Sequence, residues 1–167
     1  MVCICVRALC TRVSCMSMGQ ERKGSFRQPS DFARSIRMGN IRQTGTEPEL
    51  VVREILRRLG AGFTRNRSDL PGSPDFVNDN LGIVIFAHGC YWHRHAGCRA
   101  ATMPKSSAPF WRAKFDTNER RDRAASRALR RMGYSVIAVW ECDLKSKEGQ
   151  ERTESRFRKL LGISIAR

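Results

Sequence analysis

All three histidines of the chain, His88, His93 and His95, fall between positions 88 and 95, and two of its seven cysteines, Cys90 and Cys98, lie within that stretch or just after it. This concentration constrains the fold, because a tetrahedral cation needs four soft or borderline ligands presented from fixed points of the chain. Cys142 offers the fourth, since it follows an apolar run, Tyr134 to Trp140, that reads as a strand able to lie beside one ending at Ala87. Cys90, His95, Cys98 and Cys142 are therefore candidate ligands of a structural zinc, the last tying a loop to a sheet. The spacing Cys-x4-His-x2-Cys is not a standard finger. It leaves open a buried free cysteine among surface histidines, or His93 in place of His95. A reducing compartment favours metal binding over disulfides for these cysteines.

At 167 residues the chain is about one domain long. Its formal net charge of +15 predicts attraction to a polyanion, through release of counterions condensed on phosphates. A basic solubility surface or an anionic-membrane patch is the alternative. No apolar run is long enough to span a bilayer, and Arg7 and Arg12 interrupt the opening segment, which excludes a secretory core. The chain is read as cytoplasmic. Residues 1–37, with Cys3, Cys5, Cys10 and Cys15, read as a basic arm or an upstream extension, Met16, Met18 and Met38 being alternative starts. Residues 38–167 read as the folded domain.

Within that domain, Thr46 and Glu49 have capping-box spacing ahead of a helix from Glu47 to Leu59, with Gly60 as its stop. A short strand is expected at 63–65, turn chemistry from Leu70, and strands at 75–77 and 81–87. A long helix at 110–132 carries Trp111, Phe115, Asp122, Ala125 and Leu129 near one face. A strand at 134–140 and a helix at 148–161 complete the pattern. Strand, helix and strand from 81 to 140 form a possible crossover unit, predicting an α/β domain with a mixed central sheet flanked by helices.

The zinc assignment leaves His88 and His93 available. Imidazole titrates near neutrality, so either could deprotonate a water or protonate a leaving oxygen, or either could be a bystander. Phosphodiester hydrolysis also calls for a divalent cation held by oxygen ligands. Asp75 is the best candidate, because it opens a strand expected to pair with the one leading to His88. An ordinary turn residue after Pro74 is the plainer reading. Glu49 is explained by capping and is a second candidate acid.

Five ordered motifs, Thr46-x-Pro-Glu49, Asp69-Leu-Pro-Gly-x-Pro-Asp75, Val84-Ile-Phe-x-His-Gly-Cys-Tyr-Trp-His93, Phe110-Trp111 and Val139-Trp-Glu-Cys142, resemble the very-short-patch repair (Vsr) endonucleases over roughly residues 36 to 145. The resemblance implies a restriction-endonuclease-like fold with a structural Zn2+ and a catalytic Mg2+. It implies that Asp75 and the Ala87 backbone bind magnesium, that His93 is the general base, that His88 places water or phosphate, and that Glu49 supports the site. Cys90, His95, Cys98 and Cys142 match the zinc ligands, and Tyr91, Trp92 and Trp111 match rings wedged into the duplex, which is sensible where a mismatch lowers the cost of unstacking. For Trp92 and Trp111 a core position is the alternative. Three departures are present: Ala87 where the family usually has Thr, Tyr91 for Phe, and one extra residue between His95 and Cys98.

The implied activity is nicking beside the T of a T:G mismatch, as left by deamination of 5-methylcytosine. A cytosine methyltransferase and mismatch-repair proteins are implied partners, and a single nick needs only a monomer. Two other readings keep part of this. One is a restriction-associated nicking endonuclease without mismatch preference; the other is a non-catalytic, zinc-held DNA-binding module.

Overall fold

The computed structural model describes residues 44–163; the readings made for residues 1–37 lie outside them. The first helix, α1 (Glu47–Arg58), begins where expected. Its capping box is formed, and the Glu49 carboxylate accepts the Gly45 and Thr46 amides at 2.9 and 3.3 Å and the Thr46 hydroxyl at 2.7 Å. Pro48 costs nothing in the first turn, where its missing N–H would have no partner. Val52, Ile55 and Leu56 recur at helical spacing and are buried.

A mixed sheet follows, with strand order β1 (Thr64–Arg65), β2 (Phe76–Asn78), β3 (Ile83–His88) and β4 (Ser135–Trp140). The pairs β1–β2 and β2–β3 are antiparallel, and β3–β4 is parallel, running from Ile83 opposite Ser135 to His88 opposite Trp140. Parallel neighbours need a crossover, supplied by α2 (Ala108–Arg131). Two short stretches differ from the sequence reading. Leu81 lies outside β3 and is exposed, because the chain turns at Gly82 (φ +60°), whose N–H bonds the Asp79 carbonyl at 3.2 Å. A four-residue helix, α3 (Glu141–Leu144), follows β4 directly, before α4 (Lys147–Leu160).

The central strand is buried on both faces, as expected of a continuous apolar run. Ile83 and Ile85 join Val52, Ile55, Leu56, Ile137 and Phe157 in the core under α1 and α4. Val84 and Phe86 point the other way, toward Leu70, Val77 and Leu129 of the core under α2. Each fully buried side chain of this kind contributes about 1.5–3 kcal/mol of transfer free energy. The turn that delivers Asp75 is seated on α2 at Gly72. Its φ is +79°, and a Cβ there would lie 2.6 Å from that of Ala125, so no other residue fits without displacement. Among the described residues no helix is long and apolar enough to cross a membrane.

Candidate active site and metal centre

The parallel strands β3 and β4 end together at His88 and Trp140, and the chemistry gathers there. Strand β2 starts at Phe76, one residue after Asp75, so it stops short of pairing with Ala87. The Asp75 carboxylate takes over instead, accepting the Ala87 N–H at 2.7 Å. This holds the acid against the backbone of Ala87. Burial pushes the Asp75 carboxyl up to about 6; the Ala87 amide opposes the shift, the nearby negative charge of Glu49 adds to it, and His93 counters it. Glu49 is itself buried. Capping therefore does not exhaust its role, because its charge also reaches Asp75.

After β3 the chain makes successive turns rather than regular structure. His93 N–H bonds the Gly89 carbonyl at 3.1 Å, and His95 N–H bonds that of Cys90 at 3.1 Å. These turns fold His93 back over His88, their rings stacking with centroids 4.0 Å apart and planes 12° from parallel. His93 Nδ1 lies 2.6 Å from Asp122 Oδ2 on α2. With its proton on Nδ1 toward the carboxylate, the ring keeps Nε2 as its basic nitrogen. Burial pushes the His88 imidazole down to about 4, with His93 adding to the shift and Asp122 opposing it, so His88 is neutral at pH 7.

The other half of the loop builds the cluster anticipated from the cysteine and histidine spacing. One ligand atom from each of Cys90, His95, Cys98 and Cys142 lies within 4.8 Å of the others. His95 Nδ1 is 3.6 Å from Cys90 Sγ and 3.2 Å from Cys142 Sγ. Ligands bonded at about 2.0–2.3 Å to a tetrahedral ion are separated by roughly this much. The extra residue between His95 and Cys98 does not remove Cys98 from the group, because Gly97 takes φ +73° and Cys98 N–H closes a turn on the His95 carbonyl at 3.2 Å. Burial pushes the Cys90 thiol up to about 12 and also raises Cys142, whereas the Ala100 amide lowers Cys98. Three thiols in so small a volume resist ionising together, and a divalent cation removes that conflict by binding the thiolates. The donor set fits such a cation. His95 also stacks on Trp140 at 4.1 Å, anchoring the cluster to the end of β4.

Tyr91, Trp92 and Trp111 come together as well. Tyr91 stands edge-on to Trp92 at 5.0 Å and to Trp111 at 5.9 Å, with all three half-buried over the fully buried Phe115. They are neither core residues nor fully exposed, and the face they present borders the turn carrying His93.

The chain is 39% identical to the type II nicking enzyme V.XorIIP of Xanthomonas oryzae pv. oryzae over 76% of its own length and 90% of that protein's. It is 38% identical to the DNA mismatch endonuclease Vsr of Escherichia coli over 69% of the chain and 73% of that enzyme. Residues 29–99 match the family described as DNA mismatch endonuclease Vsr. The chain belongs to the Vsr family. A third relative, the type II nicking enzyme V.NmeAIP of Neisseria meningitidis, is 39% identical over 68% of the chain and 81% of its own length. As a Vsr endonuclease the chain is a DNA-cleaving hydrolase, and the basic composition has DNA as its counterpart.

One polar residue of this Vsr site carries no function in the sequence reading. The sequence puts Asp122 near one face of its helix with Phe115, Ala125 and Leu129, and the structure buries those three. An acid on an otherwise apolar face was the available signal; its partner lies 29 residues away in sequence. Asn118, one turn earlier, donates to the Trp92 carbonyl at 3.0 Å, and Arg94 holds the Ala101 carbonyl at 2.6 Å. The Asp122–His93 bond predicts that Asp122→Asn keeps the fold and favours the wrong tautomer of His93. With His93 as the candidate base, nicking should fall by about 10²–10⁴-fold, while the affinity for duplex changes little. A variant with wild-type single-turnover rate removes Asp122 from the mechanism.

Proposed function

We propose that this protein nicks one strand of duplex DNA at the phosphodiester beside the T of a T:G mismatch. The observation that carries the reading is the convergence of Asp75, His88 and the Asp122–His93 pair on the end of β3, next to the three-ring cluster. His93, held by Asp122, takes a proton from the attacking water through Nε2. The water oxygen bonds to phosphorus as the bond to the leaving oxygen breaks. Neutral His88, packed against His93, orients the water or a phosphate oxygen by hydrogen bonding. Asp75 and the Ala87 carbonyl would hold Mg2+, whose hard oxygen preference suits a carboxylate that burial disfavours in its charged form; when bound, the ion stabilises charge on the phosphate. Glu49 sets the local field on Asp75. Zinc is the cation suited to the Cys90, His95, Cys98 and Cys142 donors, and the overall scaffold is of the restriction-endonuclease kind.

Tyr91, Trp92 and Trp111 supply faces on which bases parted at the mismatch can stack. A T:G pair costs less to open than a matched one, so the same rings favour the damaged site. The protein acts as a monomer in the cytoplasm, alongside mismatch-repair proteins and a cytosine methyltransferase that creates the deaminating base. Relatives carry the name type II nicking enzyme, and a second reading is a restriction-associated nickase without mismatch preference.

The deciding experiment compares nicking of matched and T:G duplexes by the full chain with magnesium. Mismatch-selective cutting supports the first reading, equal cutting the second, and tight binding without cutting a non-catalytic module. In the same assay Trp92→Ala should reduce nicking of the T:G duplex by about 10- to 100-fold, since one base-stacking contact is worth about 1–3 kcal/mol. An unchanged ratio of mismatched to matched cutting assigns Trp92 to packing alone.

A further inference from the structure

We propose that His88, His93 and Asp122 form a second metal site, selective for a borderline transition-metal ion such as Zn2+, Co2+ or Ni2+, distinct from both the Cys3His cluster and the oxygen corner at Asp75. One ligand atom from each of the three residues lies within 4.8 Å of the others. They come from three separate elements: the end of β3, the first turn after it, and the middle of α2. Two imidazoles and one carboxylate are a donor set that transition metals accept and magnesium does not, because Mg2+ demands oxygen ligands and keeps much of its water.

Little rearrangement is required. The Asp122 Oδ2 to His93 Nδ1 separation of 2.6 Å opens by less than an ångström to reach the spacing of neighbouring ligands around an ion bonded at about 2.0–2.2 Å. The stacked His88 ring, at 4.0 Å, tilts so that its nitrogen faces the same point. As the ion binds Nδ1, the proton now held there moves by way of solvent to Nε2, so His93 binds as a neutral imidazole beside the Asp122 carboxylate. All three residues are half-buried, so the ion has a path in and open positions for water.

Occupation has a consequence that rests on the general-base role assigned to His93 above. A ring bound to the ion through Nδ1 carries its proton on Nε2 and has no free nitrogen with which to act as the base. The ion therefore blocks nicking, and because Mg2+ prefers other donors, extra magnesium does not displace it.

The test starts from purified protein with its Cys3His cluster filled, titrated with Co2+ and followed by binding stoichiometry and visible absorption. One further equivalent is expected, with the weak absorption of a nitrogen and oxygen site and without the intense thiolate-to-cobalt charge-transfer band of the cysteine cluster. Asp122→Asn, which keeps the shape and the hydrogen bond to His93, and His88→Gln should each lose this equivalent while retaining the first. No further equivalent in the wild type, or an equivalent kept by both variants, overturns the site. Nicking of the T:G duplex at fixed magnesium should fall at least tenfold over the same Zn2+ range that fills the site, and tenfold more magnesium should not restore it. Binding of the second equivalent with undiminished nicking upholds the site and counts instead against His93 as the base.

Discussion

Asp75→Asn should abolish nicking and at the same time make the protein more stable when no magnesium is added. The two effects share one cause. The Asp75 carboxyl titrates at about 6 in the fold, against an ordinary value near 3.8 in the unfolded chain. Its charged form is the one that burial penalises. As pH rises from about 4 to about 6, the unfolded chain gives up this proton first, so the folded state loses stability across that window and carries the full penalty above it. A shift of this size corresponds to about 3 kcal/mol at most, and partial solvent access reduces it to about 1–2 kcal/mol. Asn removes the charge yet keeps an oxygen to accept the Ala87 N–H now bonded at 2.7 Å. In calorimetry at pH 7.5 without added divalent ions, the variant should melt about 4–8 °C above wild type. The difference should shrink toward zero at pH 4. Magnesium should raise the melting temperature of wild type and leave the variant unmoved. Without its cation ligand the reaction forfeits several kcal/mol of transition-state stabilisation, about 10³-fold or more in rate. Equal melting temperatures at pH 7.5 would mean that Asp75 carries no buried charge, and retained nicking would exclude it as a magnesium ligand.

The same residue shows how far the site was legible without coordinates. Asp75 was a candidate because the turn before it and the apolar run after Asn80 put it at the opening of a strand expected to pair with the one leading to His88, and β2 and β3 do pair. The capping box was legible because its two partners are three residues apart. The four cluster donors were legible because three lie within nine positions of one loop and the fourth follows an apolar run able to lie beside the strand ending at Ala87. Asp122 was not, since its bond to His93 exists only once α2 has crossed the sheet. The burial of Glu49 was equally out of reach: the capping motif explains its hydrogen bonds and says nothing of what stands across from it. The short helix α3 escaped because four residues cannot display a period, and it matters, because it sets Cys142 so that its N–H reaches Cys90 Sγ at 3.4 Å.

Cys142→Ser should cost the protein its cluster cation, much of its stability and nearly all of its nicking, although Cys142 touches none of the reacting groups. The loop from Gly89 to Met103 has no helix or strand of its own and is closed by single turns. Three of the four cluster donors lie in that loop, and Cys142 is the one that fastens it to the end of β4 through α3. Other ties are the Cys90 N–H bond to Glu141, the His95 stack on Trp140, the Asn118 bond to Trp92 and the Asp122 bond to His93. The last two reach Trp92 and His93, in the turns after β3, so they hold that geometry only if the loop is already in place. Disturbing an outer-sphere partner of a metal site weakens binding by about 10- to 100-fold; losing a direct thiolate costs more. Each hundredfold fall in affinity removes about 2.7 kcal/mol of linked stability once the ion is no longer saturating. Metal analysis of Cys142→Ser should therefore give well under one equivalent, with melting at least 10 °C below wild type and nicking reduced with it. Excess Zn2+ should recover part of both in the variant. Removing the ion from wild type with a chelator should reproduce the variant and expose Cys90, now buried, to thiol reagents. A variant that keeps a full equivalent of metal would leave Cys142 outside the ligand set, and the loop would then be held by its hydrogen bonds alone.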